Sequence, residues 1–326
     1  MENTSALSVF YHLLNGNFLG KKIWYKTDIK AKFFLRSLFM PSVTLTYLRH
    51  LINSPSMRRA VLVQPVLPSK IHRPYLYASL RAHSRADAIC AHYHFVDSLA
   101  NPFLKQALLS QDEYCLARFS GKNNENFSII CSTSRYDKEG EATLRIRFND
   151  MVLASLTFSV LNYQNIRTII IGGLQGKGND QTRELIKEAS KACFGLFPKR
   201  LLLESLLTLA NLNGINTVLA VGDENHVYQN LRYCHRKHNV RFSSYSEFWL
   251  SVSANKRECG LYQIPTHIPR KTPEELPSRK RAQYQRRYQL LDEIGQQIQQ
   301  TLGHATTSDT LPAPTTASTM LHRLAS

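Results

Sequence analysis

Cysteine is sparse and scattered: Cys90, Cys115, Cys131, Cys193, Cys234 and Cys259 form no CxxC pair. That excludes zinc-finger spacing, and a chain of 326 residues is too large to need a disulfide framework. Free, buried thiols in a reducing compartment are the expectation. A long apolar run is missing as well. The most apolar early stretch, IKAKFFLRSLFMPSVTLTYLRHL, carries Arg36 and Pro41 inside any span it offers, too interrupted for a transmembrane helix. The opening MENTSALSVFYHLLNGNF has neither a basic leader nor a continuous apolar segment, which argues against a signal peptide. Acidic residues are scarce too: 24 Asp and Glu stand against 41 Lys and Arg, a net charge of +17. The balance favours anionic partners (nucleic acid, acidic lipid headgroups or a phosphorylated cofactor) without choosing among them. The expected place is the cytoplasm. Lys30, Lys32, Arg36 and Arg49 beside the apolar residues of 29–52 add a peripheral position on an anionic inner-membrane surface as an open reading.

What is present divides along the chain, with no internal repeat. Residues 1–110 read as mainly helical, with Pro65, Pro68 and Pro74 marking an irregular connection. From about 113 short strands follow: EYCLARF, FSIICS, EATLRIRF and MVLASLTFSV, the last two joined by a tight turn at Asn149-Asp150. IRTIIIGG is an almost wholly apolar strand, as expected for one buried on both faces. Two helices come next, one capped by Asp180 and one from about Pro198 to Gly214, then a buried strand, INTVLAV. Asp223 then caps a further expected helix whose inner face is Val227, Leu231 and Cys234. The alternation predicts an α/β domain over 111–265 with a mixed sheet. A basic helical extension over 266–300 and a disordered Thr/Ala/Ser/Pro tail over 301–326 complete the expected organisation.

The stretch IGGLQGKGND holds Gly172, Gly173, Gly176 and Gly178 between an expected strand and an expected helix. It fails the phosphate-loop pattern, because Asn179 stands where lysine is required, and it lacks the dinucleotide fingerprint spacing. What remains is Gln175-Gly176-Lys177-Gly178 at a helix N-terminus, where free amides and Lys177 favour an anion. The competing reading is a sharp turn with no ligand.

Two family resemblances follow. IIIGGLQGKG together with TVLAVGDENHVYQNLRYCHRKHNVRF resembles the acyl-CoA site of GNAT-type acetyltransferases. Gln175 and Gly178 match the first motif of that family, and Val221, Asn225 and Leu231 the second. Asp180 stands where glycine or alanine is usual, Tyr228 replaces an alanine, and Arg232 a tyrosine. The resemblance implies a GNAT-like mixed sheet binding acetyl-CoA or another acyl-CoA at Gly173, Gln175, Gly176, Lys177, Gly178 and Asn225. It implies Tyr228 or Tyr233 as general acid for the departing thiolate, and Glu204 or His226 as base. More broadly, the order GGLQG, DENHVY, YSEFW, SRKRAQYQRRYQLLDEI over roughly 80–300 resembles the VirK/YbjX family of Gram-negative bacteria. That family's association is with virulence, response to host or neighbouring bacteria, envelope adaptation and resistance to cationic antimicrobial peptides, without an assigned reaction.

Two constellations stand apart from these. His92-Tyr93-His94 would place both imidazoles on one side of a strand, a spacing able to chelate metal; with no nearby Cys or carboxylate cluster, a structural role and no metal are expected. The basic run 279–287 sets Arg281, Arg286 and Arg287 around Tyr284, a pattern that suits single-stranded RNA by phosphate contact and base stacking. Its competing reading is a helix whose arginines pair within the fold. Two functions therefore stay open: an acyl-CoA-dependent transferase, and a non-enzymatic regulator that binds RNA or anionic membrane through basic surfaces.

Overall fold

A computed structural model describes residues 5–16, 18–19, 22–176, 180–230 and 244–304. The first 110 residues form α1 (Ala6–Asn15), α2 (Thr27–Phe39), α3 (Pro41–Asn53), α4 (Pro55–Val63), α5 (Ala82–Ser98) and α6 (Pro102–Leu109). Proline opens α3, α4 and α6, where its missing N–H costs nothing. Ser5, Ser54 and Asn101 cap α1, α4 and α6 by accepting an amide two or three residues into the helix. The expected irregular connection contains a 3₁₀ segment, Leu67–His72.

The strands are β1 (Tyr114–Ser120), β2 (Asn126–Thr133), β3 (Ala142–Phe148), β4 (Met151–Tyr163), β5 (Ile166–Gly176), β6 (Thr217–Val221), β7 (Asn255–Lys256) and β8 (Leu261–Ile264). Among the described residues they make one mixed sheet in the order β1-β2-β3-β4-β5-β6-β8-β7. β1 to β5 are an antiparallel meander. The turn at Asn149-Asp150 and its partner at Gln164-Asn165 have positive φ at both central residues, the conformation a two-residue hairpin needs. α7 (Asp180–Ala192) and α8 (Pro198–Leu212) form the crossover that makes β5 and β6 parallel. α9 (Tyr245–Ser251) and α10 (Ser278–His304) complete the described elements.

β4 is buried without interruption from Leu153 to Leu161, so both faces of the sheet are covered. α5 packs on β4, α8 packs across β3, β4 and β5, and α10 lies on β1 and α8. One buried apolar cluster runs from Ala6 in α1 to Leu302 in α10, so the N-terminal helices and the sheet share a core.

Three sequence expectations need correction. The segment from Asp223 is not an α-helix: it makes two 3₁₀ turns, Asp223–Asn225 and Val227–Gln229, separated by His226 in an extended conformation. Its backbone is committed elsewhere. Ala78 N–H donates to the Asn225 carbonyl, and His226 forms a β-bridge with Tyr77. Asp223 does cap a helix, but α9: its carboxylate accepts from Tyr245 N–H at 2.8 Å and Ser246 N–H at 3.1 Å. Burial pushes the Asp223 carboxyl up, yet these amides, with the Ser246 and Ser244 hydroxyls, hold it below the ordinary range. Leu231 and Cys234 lie outside the described residues. Next, His92-Tyr93-His94 is helical, on α5. His92 is buried, accepts Val160 N–H through Nδ1 and is pushed down to about 4 by burial, while the His94 ring lies edge-on to His50. Finally, the last helix continues past residue 301 to His304.

Candidate functional site

The β2–β3 connection places two glutamates in the protein interior, separated by Gly140. At φ +154°, a side chain on Gly140 would meet the Phe158 carbonyl oxygen at 2.6 Å, so only glycine fits. Glu141 has a full set of partners: Lys70 Nζ at 2.6 Å on one oxygen and the Tyr93 hydroxyl at 2.8 Å on the other. Lys70 also donates to Gln64. Burial pushes the Glu141 carboxyl up, but Lys70, with His92 and the Tyr93 hydroxyl, wins and holds it down. This is a closed polar network, and a structural one.

Glu139 is different. It is fully buried, yet Oε2 has no hydrogen-bond partner among the described residues. Oε1 accepts from the Gln175 amide at 2.5 Å and lies 3.5 Å from His226 Nε2. The carbonyl of Glu139 covers Gly172 and its carboxylate covers Gly173: a Cβ on either glycine would lie 2.0 Å from a Glu139 oxygen. The glycine pair of β5 is thus the seat of a glutamate. Gly173, expected to contact a ligand, thus carries the Glu139 carboxylate.

Glu139 sits where the parallel pair ends. β5 and β6 pair from Thr168↔Thr217 to Ile171↔Ala220, after which β5 runs on to Gly176 while β6 stops at Val221. Gly172 falls at a register break against β4, between Thr157 and Phe158. Beyond β6, α9 takes over: the Trp249 indole donates to the Val221 carbonyl at 2.7 Å. The buried Tyr245 ring lies 5.2 Å from His226, and its hydroxyl is pushed up by burial and then by Glu139. His226 is buried, with Nδ1 accepting Tyr228 N–H at 3.5 Å and Nε2 lying 3.5 Å from Glu139 Oε1. The Tyr228 ring lies 5.2 Å from His226, with Lys138 Nζ 5.3 Å from its centre. A carboxylate, an imidazole and two phenols therefore converge on one sheared strand edge.

One residue past Gln175, Gly176 lines a cavity of about 470 Å³. Its apolar wall includes Ile186, Phe197 and Phe248, and its cationic groups are Lys199, Arg200 and Arg287. Burial pushes the Lys199 amine down, and Asp223 opposes it. Among the described residues a side chain on Gly176 would meet the Leu153 carbonyl at 3.4 Å and Ile186 at 3.9 Å, so this glycine is less crowded than Gly172 and Gly173.

The other expected site residues divide. Gln175, Gly176, His226 and Tyr228 cluster at the strand edge. Asn225 is engaged by the turn before β8, its amide donating to the Cys259 carbonyl at 2.9 Å. Glu204 lies on α8, paired with Arg200 and lining a different groove with Arg270 and α10. Tyr233, Lys177 and Gly178 lie outside the described residues. Glu139 was missed because a strand-connecting Glu-Gly-Glu reads as a solvent turn; the adjacent-glycine pair in an apolar strand was the available signal.

The basic helix is engaged with the fold. Arg287 donates to the Phe194 carbonyl at 2.9 Å and lies 4.2 Å from the centre of the Tyr284 ring, and Gln283 donates to the same carbonyl. Arg281 donates to the Leu276 carbonyl, while Arg286 is exposed. Arg287→Ala should therefore destabilise by about 1.5–3 kcal/mol, the worth of a charged hydrogen bond. Arg286→Ala should stay within about 0.5 kcal/mol. Denaturant melts check both; equal losses, or RNA binding at low salt abolished by either change, would contradict the clamp role.

These features define a mixed α/β protein with one eight-stranded sheet and a buried acid–base cluster at the parting of its parallel strands. Residues 22–300 match the model of a family described as "Protein of unknown function (DUF535)", and the chain belongs to that family. It is 36% identical over 299 residues to "Uncharacterized protein YbjX" of Escherichia coli (strain K12), covering 91% of this chain and 90% of that protein. The VirK/YbjX resemblance thus holds. A Haemophilus influenzae protein is 29% identical over 228 residues, covering 67% of this chain and 72% of its own. No solved structure matches. Among the described residues no helix is long and apolar enough to cross a membrane.

Proposed function

We propose that this chain is an acyl-CoA-dependent acyltransferase in which Glu139 and His226 form the acid–base pair. The observation that carries the proposal is the buried, half-satisfied Glu139 carboxylate 3.5 Å from His226. A buried polar oxygen left without a hydrogen bond costs about 1–3 kcal/mol, so a fold tends to retain one where chemistry uses it. Support also comes from the sheet: an antiparallel meander followed by a parallel pair that parts at β5 is the arrangement the GNAT resemblance leads one to expect. Coenzyme A suits the Gly176 side of the site, where apolar and cationic groups share one cavity, and does not suit Gly172–Gly173, which Glu139 fills. When bound, an acyl-CoA supplies a thioester carbonyl and a thiol leaving group.

In this reading Oε2 of Glu139, the oxygen without a partner among the described residues, takes the proton from an acceptor nucleophile, while His226, oriented through Nδ1, lies against Oε1 and positions the carboxylate. Tyr228, partly exposed beside Lys138, returns a proton to the departing sulfur. An acceptor among envelope components would join this chemistry to the envelope adaptation and cationic-peptide resistance that the VirK/YbjX resemblance implies. Calorimetry of the purified chain with coenzyme A and acetyl-CoA tests the site. Gly176→Leu should weaken binding by at least about tenfold, because the new side chain enters the cavity, while leaving the melt unchanged. Wild-type protein with no affinity for either compound would overturn the reading.

A further inference from the structure

α2 carries two apolar faces, and only one is used. Its inner face is closed by Phe33, which packs at 5.3 Å on Phe10, 5.4 Å on Trp24 and 5.3 Å on His72. Its outer face presents Phe34, Leu35, Leu38 and Phe39, which are 40%, 55%, 59% and 86% exposed. Leu7 and Tyr11 on α1, which packs against α2, and Tyr25 are exposed as well. Seven of the thirteen large exposed apolar side chains among the described residues thus fall in the first 39 positions. Single exposed apolar residues are ordinary on protein surfaces, but a run of four on one helix marks a docking face.

The charges around it name the partner. Lys22, Lys26, Lys30, Lys32 and Arg36 lie on or just before α2, and its acid, Asp28, is bonded to Lys32 at 2.8 Å. We propose that the outer face of α2 docks on an anionic lipid bilayer, its aromatic and leucine side chains in the headgroup boundary and its basic residues at lipid phosphates. A second copy is a poor occupant. A two-fold contact through α2 would set this basic group against its own image. The surface is separate from the cavity at Gly176, and the proposal stands whether or not the chain binds coenzyme A.

Vesicle flotation of the full chain tests it, with phosphatidylcholine alone and with phosphatidylglycerol added, at low and high salt. Wild-type protein should float with the anionic vesicles only and be released by salt. Leu35→Ser, Leu38→Ser and Phe39→Ser together should lower binding at least about tenfold, because each removes a buried apolar contact. Lys26→Gln, Lys30→Gln and Arg36→Gln together should remove the preference for anionic lipid. All but Lys30 and Arg36, which are half-buried, are exposed, so both variants should melt like wild type. Wild-type protein that stays with the unbound fraction, or serine variants that float as well as wild type, would overturn the proposal. So would wild-type dimers that the serine variants dissociate in the absence of vesicle binding.

Discussion

Glu139→Gln is expected to abolish thiol release from acyl-CoA, by roughly 10²–10⁴-fold, while the protein melts at the same temperature or higher. The direction of the stability change separates function from structure. Glu139 is fully buried, and Oε2 has no partner among the described residues. Glutamine keeps the shape and can still accept from Gln175. The neighbouring glutamate supplies the contrast. Glu141 is bonded to Lys70 at 2.6 Å, so Glu141→Gln strands a buried ammonium and should cost about 3–5 kcal/mol. Of two isosteric changes two residues apart, only Glu141→Gln should thus lower the melt. If Glu139→Gln destabilises as Glu141→Gln does, Glu139 is a structural partner of His226 and the acid–base assignment fails. If it leaves thiol release intact, the assignment fails on chemistry.

Legibility in the sequence followed how local each cause was. Strands β1 to β6, the turn at Asn149-Asp150 and the helix starting at Pro198 follow from patterns within a few residues, and they stand where the sequence puts them. The stretch after Asp223 has helical spacing, but its backbone is recruited by Tyr77, Ala78 and α9, all remote in sequence. Propensity lost to tertiary hydrogen bonding. The site was half legible for the same reason. Gln175 and Gly176 end β5, and His226 and Tyr228 follow β6, so each pair lies within one short motif that spacing could mark. Glu139 enters from a connection more than thirty residues upstream of Gln175, and nothing in YDKEGEA says that either glutamate is buried. The arginines of the last helix show the limit of reading charge runs. Arg287 is partly buried on Phe194 and Arg286 is exposed, although they are adjacent.

The adjacent glycines of β5 should respond to substitution unequally, and the inequality tests what they are for. A Cβ at Gly172 would lie 2.0 Å from the Glu139 carbonyl oxygen and 2.8 Å from its carbon, both backbone atoms. A Cβ at Gly173 would lie 2.0 Å from Oε2 and 2.7 Å from Cδ, the far end of a side chain. Backbone held between two strands cannot swing aside, whereas a carboxylate can. Gly172→Ala should therefore cost more than about 3 kcal/mol, and Gly173→Ala about 1–3 kcal/mol, as overpacked sites do. The double variants separate the causes. Glu139→Ala should restore most of the stability lost to Gly173→Ala, a strong coupling between touching residues. It should restore little to Gly172→Ala, because the peptide of residue 139 remains in place. Denaturant unfolding of the singles and both doubles measures all four quantities. Were Gly172→Ala tolerated, or rescued as fully as Gly173→Ala, the close seat of residue 139 on β5 would be wrong, and with it the geometry that brings Glu139 to His226.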